Sequence, residues 1–119
     1  MATILIVEDE MIIALGACLI LEDQGYNVLL APDGQAGLAQ ALAESPSLIV
    51  TDYMMPRMDG LTMIRELRAR GVTCPIVLAT SVPESNITTD PGSRYDTYLS
   101  KPYGDDGLTE IVQRLLNKG

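Results

Sequence analysis

The sequence contains no histidine. That excludes Ser-His-Asp and Cys-His catalysis and any imidazole metal ligand within these residues. Any phosphohistidine chemistry must therefore come from a partner. Cations are also scarce: eight Lys and Arg stand against sixteen Asp and Glu, for a formal net charge of −8. Such a chain repels nucleic acid unless its cations cluster, and they do not. The acidity suits a basic partner surface or a bound cation instead. Only two cysteines occur, Cys18 and Cys74, far apart and without a CxxC spacing. They read as small buried apolar residues in a reducing compartment rather than as a disulfide. No apolar run approaches the roughly 20 residues needed to cross a bilayer. The opening MATILIVEDE is cut short by acids and has no basic leader. No membrane partner and a cytoplasmic location are the expectations.

What is present is a pattern. At 119 residues and 47% hydrophobic, the chain suits one domain, 1–119, with a real core. Apolar runs at 4–7, 28–31, 48–50 and 76–79, and a weaker one at 98–99, alternate with helix-like stretches. The first, third and fourth runs are continuously apolar, as in strands buried on both faces of a parallel sheet. Helices are expected over 11–22, 34–43, 61–70 and 108–116. In the first, Ile12, Leu15, Leu19 and Leu21 fall at near-helical spacing, and Gly25 is a stop. Asp33 is placed to cap the second. The last carries the stripe Leu108, Ile111, Val112 and Leu115. Strands alternating with helices imply right-handed crossovers and an α/β parallel sheet. The segment 82–97, VPESNITTDPGSRYDT, should hold a fourth helix, yet it contains Pro83, Pro91 and Gly92. An internal proline costs about 3 kcal/mol in a helix. A short, irregular or missing helix is expected there.

In an open parallel sheet, ligands bind beyond the carboxyl ends of the strands. Those ends read Glu8-Asp9, Asp52, Thr80-Ser81 and Lys101-Pro102. Each alone has an ordinary explanation: a helix start, a turn former, a β-branched strand residue, a surface lysine. Together they place three acids, a hydroxyl and a lysine on one rim. Two carboxylates ~4 Å apart repel by about 4 kcal/mol at an effective dielectric near 20. Such a cluster invites a hard cation with oxygen ligands, Mg²⁺ or Mn²⁺. A cation there relieves the repulsion, Lys101 and Thr80 can each meet a phosphoryl oxygen, and Asp52 is left as the nucleophile.

Four motifs occur in order: ILIVEDE at 4–10, TDYMMPRMDG at 51–60, PIVLATS at 75–81 and YLSKP at 98–102. With them the chain resembles a response-regulator receiver domain of the chemotaxis type over nearly its whole length. The resemblance implies a flavodoxin-like (βα)5 doubly wound sheet, strand order 2-1-3-4-5. It implies that Glu8, Asp9, Asp52 and the main-chain carbonyl of Met54 bind the metal. It further implies Asp52 as phosphoacceptor, Thr80 and Tyr98 as switch residues, Lys101 as phosphate ligand, and a cis Lys101-Pro102 bond. The partners implied are a histidine kinase or histidine phosphotransfer protein and an unspecified downstream protein. The role is a phosphorelay switch rather than an enzyme, with modest self-phosphorylation and self-dephosphorylation.

Three departures bear on this. Glu8 stands where the family often has aspartate. Met54 and Val82 are apolar where the family often has a polar residue beside the path of attacking water. Met54, Met55 and Met58 make a methionine-rich loop, suited to local packing or to docking a partner helix. Three other functions compete with this one. An unphosphorylated interaction module on this fold remains open. An aspartyl-phosphate phosphatase needs a second aspartate two residues after Asp52, and Met54 is there. A flavin or nucleotide binder needs a Gly, Ser or Thr cradle after the first strand, and EDEM is there.

Overall fold

The computed structural model describes residues 1–117. The expected single domain 1–119 thus includes two residues, 118 and 119, that lie outside the described ones. Strands β1 (Thr3–Val7), β2 (Asn27–Ala31), β3 (Leu48–Thr51), β4 (Ile76–Thr80) and β5 (Thr97–Ser100) alternate with helices α1 (Met11–Asp23), α2 (Gly34–Glu44), α3 (Gly60–Ala69) and α4 (Asp105–Asn117). All pairings are parallel, and the order is β2-β1-β3-β4-β5. This is the doubly wound order expected from the resemblance.

Side-chain alternation along the central strands builds two cores. Leu5, Val7, Ile49, Ile76 and Leu78 face α2 and α3, meeting Ala41, Leu61, Met63, Ile64 and Leu67. Ile4, Ile6, Leu48, Val50, Val77 and Ala79 face the other way, onto Ala17 and Leu21 of α1 and Leu108 and Val112 of α4. Strands β3 and β4 are buried throughout, and β1 is buried from Ile4 onward. Continuously apolar strands need both faces covered, and here they are.

The helix boundaries follow local chemistry. Asp33 caps α2, accepting from the Ala36 N–H at 2.8 Å, and Asp59 caps α3, accepting from the Thr62 N–H at 2.8 Å. The second cap starts α3 at Gly60, one residue before its apolar pattern. Helix α4 begins at Asp105, ahead of its stripe, because Asp105 and Asp106 suit the positive end of a helix. Gly25 and Gly71 follow α1 and α3 with φ of 93° and 86°, a region glycine enters freely.

Helix α1 corrects the sequence reading. Its sheet-facing residues are Ala14, Ala17 and Leu21. Ile12 is 86% exposed and Leu19 68%, with Leu15 and Met11 also open to solvent. The helix is apolar nearly all round, so spacing does not say which face is buried. The alanine face lies against the sheet and leaves the larger side chains outside. The cysteines are half-buried and free, less enclosed than expected.

Between β4 and β5 the expected fourth helix is reduced to one 3-10 turn, Glu84–Asn86, preceded by Pro83. The rest is an irregular strap held by side chains. Arg65 pairs with Asp90 at 2.7 Å and Arg68 with Asp96 at 3.1 Å. Asp96 also accepts from the Ile76 N–H at 2.7 Å. Ile87 and Tyr95 pack on the α2–α3 core. The Tyr95 hydroxyl donates to Glu84 at 2.6 Å, closing the strap on itself. Burial, and then the bond and charge of Glu84, push the Tyr95 phenol up to about 12 from its ordinary 10.0.

A folded-state value above the unfolded one means a contribution complete below pH 10.0 and lost as pH rises towards about 12. The stability difference between the parent and Tyr95→Phe should therefore shrink across that window. Urea midpoints of both proteins from pH 8 to 12 check this; a difference independent of pH would show that folding does not raise the Tyr95 phenol.

Candidate functional site

The sheet register builds the site before any side chain is considered. Val7 of β1 lies opposite Thr51 of β3, and Thr80 of β4 opposite Ser100 of β5. The ladders continue past the strand ends: the Asp52 N–H donates to Val7 O at 3.0 Å, Glu8 N–H to Ala31 O at 3.0 Å, and Lys101 N–H to Thr80 O at 2.9 Å. Glu8 and Asp52 thus leave the sheet side by side, and Lys101 leaves the same rim one strand further on, beyond β4.

Their side chains converge. The Lys101 ammonium donates to Asp52 Oδ2 at 2.8 Å and to Glu8 Oε1. Asp52 Oδ1 accepts from the Tyr53 N–H at 2.6 Å, and Glu8 Oε2 from the Glu10 N–H at 3.1 Å. Glu8 is 6% exposed and Asp52 9%, whereas Asp9 faces solvent. One carboxylate oxygen from each of Glu8, Asp9 and Asp52 lies within 4.8 Å of the others. Oxygen-only donors this close, two of them buried, fit a hard divalent cation, which needs few protein ligands and keeps several waters.

Electrostatics bear the marks of crowding. Burial, aided by the Asp52 charge, holds the Glu8 carboxyl above its usual range against the opposing pull of Lys101 and the Glu10 N–H. Burial pulls the Lys101 ammonium down, but Asp52 and Glu8 outweigh it and raise its pKa. Lys101 therefore stays charged and bridges two carboxylates that would otherwise repel. Removing it would leave those acids buried without a counter-charge.

Thr80 is 1% exposed at the end of β4. Its hydroxyl accepts from the Val82 N–H at 3.2 Å. Tyr98, half-buried on β5, donates from its hydroxyl to Val82 O at 2.7 Å. The two predicted switch residues thus hold the same backbone residue. Met54 points its side chain out, 60% exposed. Met55 and Met58 pack on the core, the local-packing reading of that loop. The Lys101-Pro102 bond is cis, as expected.

Two features escaped the sequence. Tyr103 lies near the charges: burial raises its phenol, Lys101 lowers it, and Glu8 and Asp52 raise it further. Its only signal was a place just beyond Lys101-Pro102. Asp33, read as a cap, also pairs with Arg57 at 3.0 Å across 24 residues, and no local pattern announces that.

The model of the response regulator receiver domain family matches residues 4–113. The alkaline phosphatase synthesis transcriptional regulatory protein SphR of Synechococcus elongatus is 35% identical, covering 97% of this chain and 49% of its own. The response regulator MprA of Mycolicibacterium vanbaalenii is 36% identical, covering 97% of this chain and 50% of its own. The chain thus spans about half the length of these curated relatives. Among solved structures, the Francisella response regulator 1452 receiver domain superposes with a TM-score of 0.89 at 27% identity, covering 99% of this chain and 98% of that one. The receiver domain of the sensor histidine kinase PA1611 from Pseudomonas aeruginosa, solved with a magnesium ion coordinated in its active site cleft, gives 0.87 at 29%, covering 98% of each. With its fold, its acidic rim and these likenesses in agreement, the chain belongs to the response regulator receiver domain family of two-component systems.

Proposed function

We propose that this receiver domain takes a phosphoryl group from the phosphohistidine of a partner protein onto Asp52, with Mg²⁺ bound, and changes conformation to signal. The observation that carries the reading is the convergence of Glu8, Asp9, Asp52 and Lys101 at the ends of β1, β3 and β5. Glu8, Asp9, Asp52 and the Met54 carbonyl are the groups to hold the ion. Mg²⁺ supplies neutralisation of the acids and charge for a phosphoryl oxygen.

An Asp52 carboxylate oxygen attacks phosphorus, the P–N bond to the donor imidazole breaks, and that imidazole leaves with the bonding pair and takes up a proton. Positioning and charge account for most of such a transfer. Lys101 exchanges its bond to Asp52 for one to a phosphoryl oxygen. The Thr80 hydroxyl turns to another phosphoryl oxygen and gives up the Val82 N–H. Val82 then shifts, and with it the carbonyl that anchors Tyr98. Their shared hold on Val82 supports this coupling. A two-state domain biased in this way is a population-shift switch. With no histidine among these residues, a phosphohistidine donor lies outside them, on a histidine kinase or phosphotransfer protein. The exposed apolar residues Ile12, Leu15 and Leu19 of α1 support a protein–protein encounter next to the site. A cytoplasmic setting suits that relay, and among the described residues no helix is long and apolar enough to cross a membrane.

Incubation with a small acyl phosphate and Mg²⁺ should add one phosphoryl group by intact-protein mass analysis. Asp52→Asn or a chelator should abolish it; modification surviving Asp52→Asn would place the acceptor elsewhere. Lys101→Met should destabilise the metal-free protein by about 3 kcal/mol, the scale of breaking a buried ion pair. Mg²⁺ should restore much of that, and thermal melting with and without the ion measures both. We also assign Met54 a shielding role over the acyl phosphate. Met54→Asn should then speed its hydrolysis severalfold in a decay assay, and an unchanged rate would remove that role.

A further inference from the structure

The loop between β3 and α3 leaves from Asp52 and carries the Met54 carbonyl. Its base is closed by the Gly60 N–H donating to Tyr53 O at 2.7 Å. Gly60 sits so close that a Cβ there would lie 2.1 Å from the Asp52 carbonyl oxygen. Its tip is a tight turn in which the Met58 N–H donates to Pro56 O at 2.8 Å. That turn puts Arg57 at φ 70°, a left-handed conformation uncommon and unfavourable for a residue with a Cβ.

Two contacts with α2 hold it. The first turn of α2 abuts the loop backbone at Gly34, where a Cβ would lie 2.1 Å from Met58 O. Beside it, the Arg57 guanidinium donates to Asp33 Oδ2 at 3.0 Å. The other oxygen of Asp33 caps α2 through the Ala36 N–H, so the acid is buried and fixed before Arg57 reaches it. Between base and tip, Met55 packs on the core, but residues 54–56 make no side-chain hydrogen bond and Met54 faces solvent.

We infer that Arg57 and Asp33 form a clasp that positions the Met54 carbonyl for the cation, making Arg57 a positioning residue for phosphorylation. The inference rests on the Mg²⁺ reading of the site. Without the clasp the loop samples other shapes, and the ion must order it on binding. That ordering lowers affinity without removing any ligand.

The test is calorimetric titration of the full chain with Mg²⁺ alone. Arg57→Asn keeps a residue that tolerates positive φ but is too short to reach Asp33. Asp33→Asn keeps a good helix cap but discharges the pair. Each should weaken Mg²⁺ binding about fivefold, the scale of ordering one short segment. The double variant should be no weaker than either single one, because all three lose the same bond. Urea midpoints measured alongside should not rank the variants as the affinities do. Parent-like affinity in Arg57→Asn, or additive losses in the double variant, would overturn the clasp alone. No Mg²⁺ binding by the parent would overturn the metal reading and the clasp with it.

Discussion

Three carboxylates at the ends of adjacent strands repel one another, and the Lys101 ammonium offsets that repulsion by bonding to both buried members, Glu8 and Asp52. The rest of the molecule can be understood as the frame that makes this crowding tolerable. Backbone bonds running one residue past β1, β3 and β5 bring Glu8, Asp52 and Lys101 to one rim of the sheet. Two apolar cores, one on each face of the sheet, hold those strands in register. A site that depends on close like charges needs a rigid base, because a loose one would let the charges separate.

The surroundings are arranged by stiffness. The sheet side of the site is buried and tightly bonded. The loop side is lighter: the Met54 loop is held at its base by Gly60 and at its tip by α2, and the strap after β4 hangs on Arg65, Arg68 and the Tyr95–Glu84 bond. Regions with few buried contacts open most readily. Val82, gripped by both Thr80 and Tyr98, lies where the stiff sheet passes into this lighter strap. These two bonds tie the end of β4 to the start of the strap.

Much of this was legible in the residues. Continuously apolar runs announced β1, β3 and β4, because a strand covered on both faces has no polar side to show. The strand-end acids, Thr80 and Lys101 were legible as a set, since sheets of this class gather strand ends on one rim. The prolines and glycine of 82–97 announced that a regular helix would fail there.

What the amino-acid order determined by itself was everything set by local chemistry: the alternation of elements, the caps at Asp33, the stops at Gly25 and Gly71, and the identity of the charged strand ends. Tertiary structure decided what depends on which surfaces meet. A helix apolar on every side gives no clue to its buried face, so only packing turned Ala14 and Ala17 of α1 inward and left Ile12 and Leu19 in water. Arg57 and Asp33 lie 24 residues apart, and only the fold of α2 against the β3–α3 loop brought their charges together. Local preferences act over a few residues, whereas burial and long-range charge pairing act between segments the chain must first bring into contact.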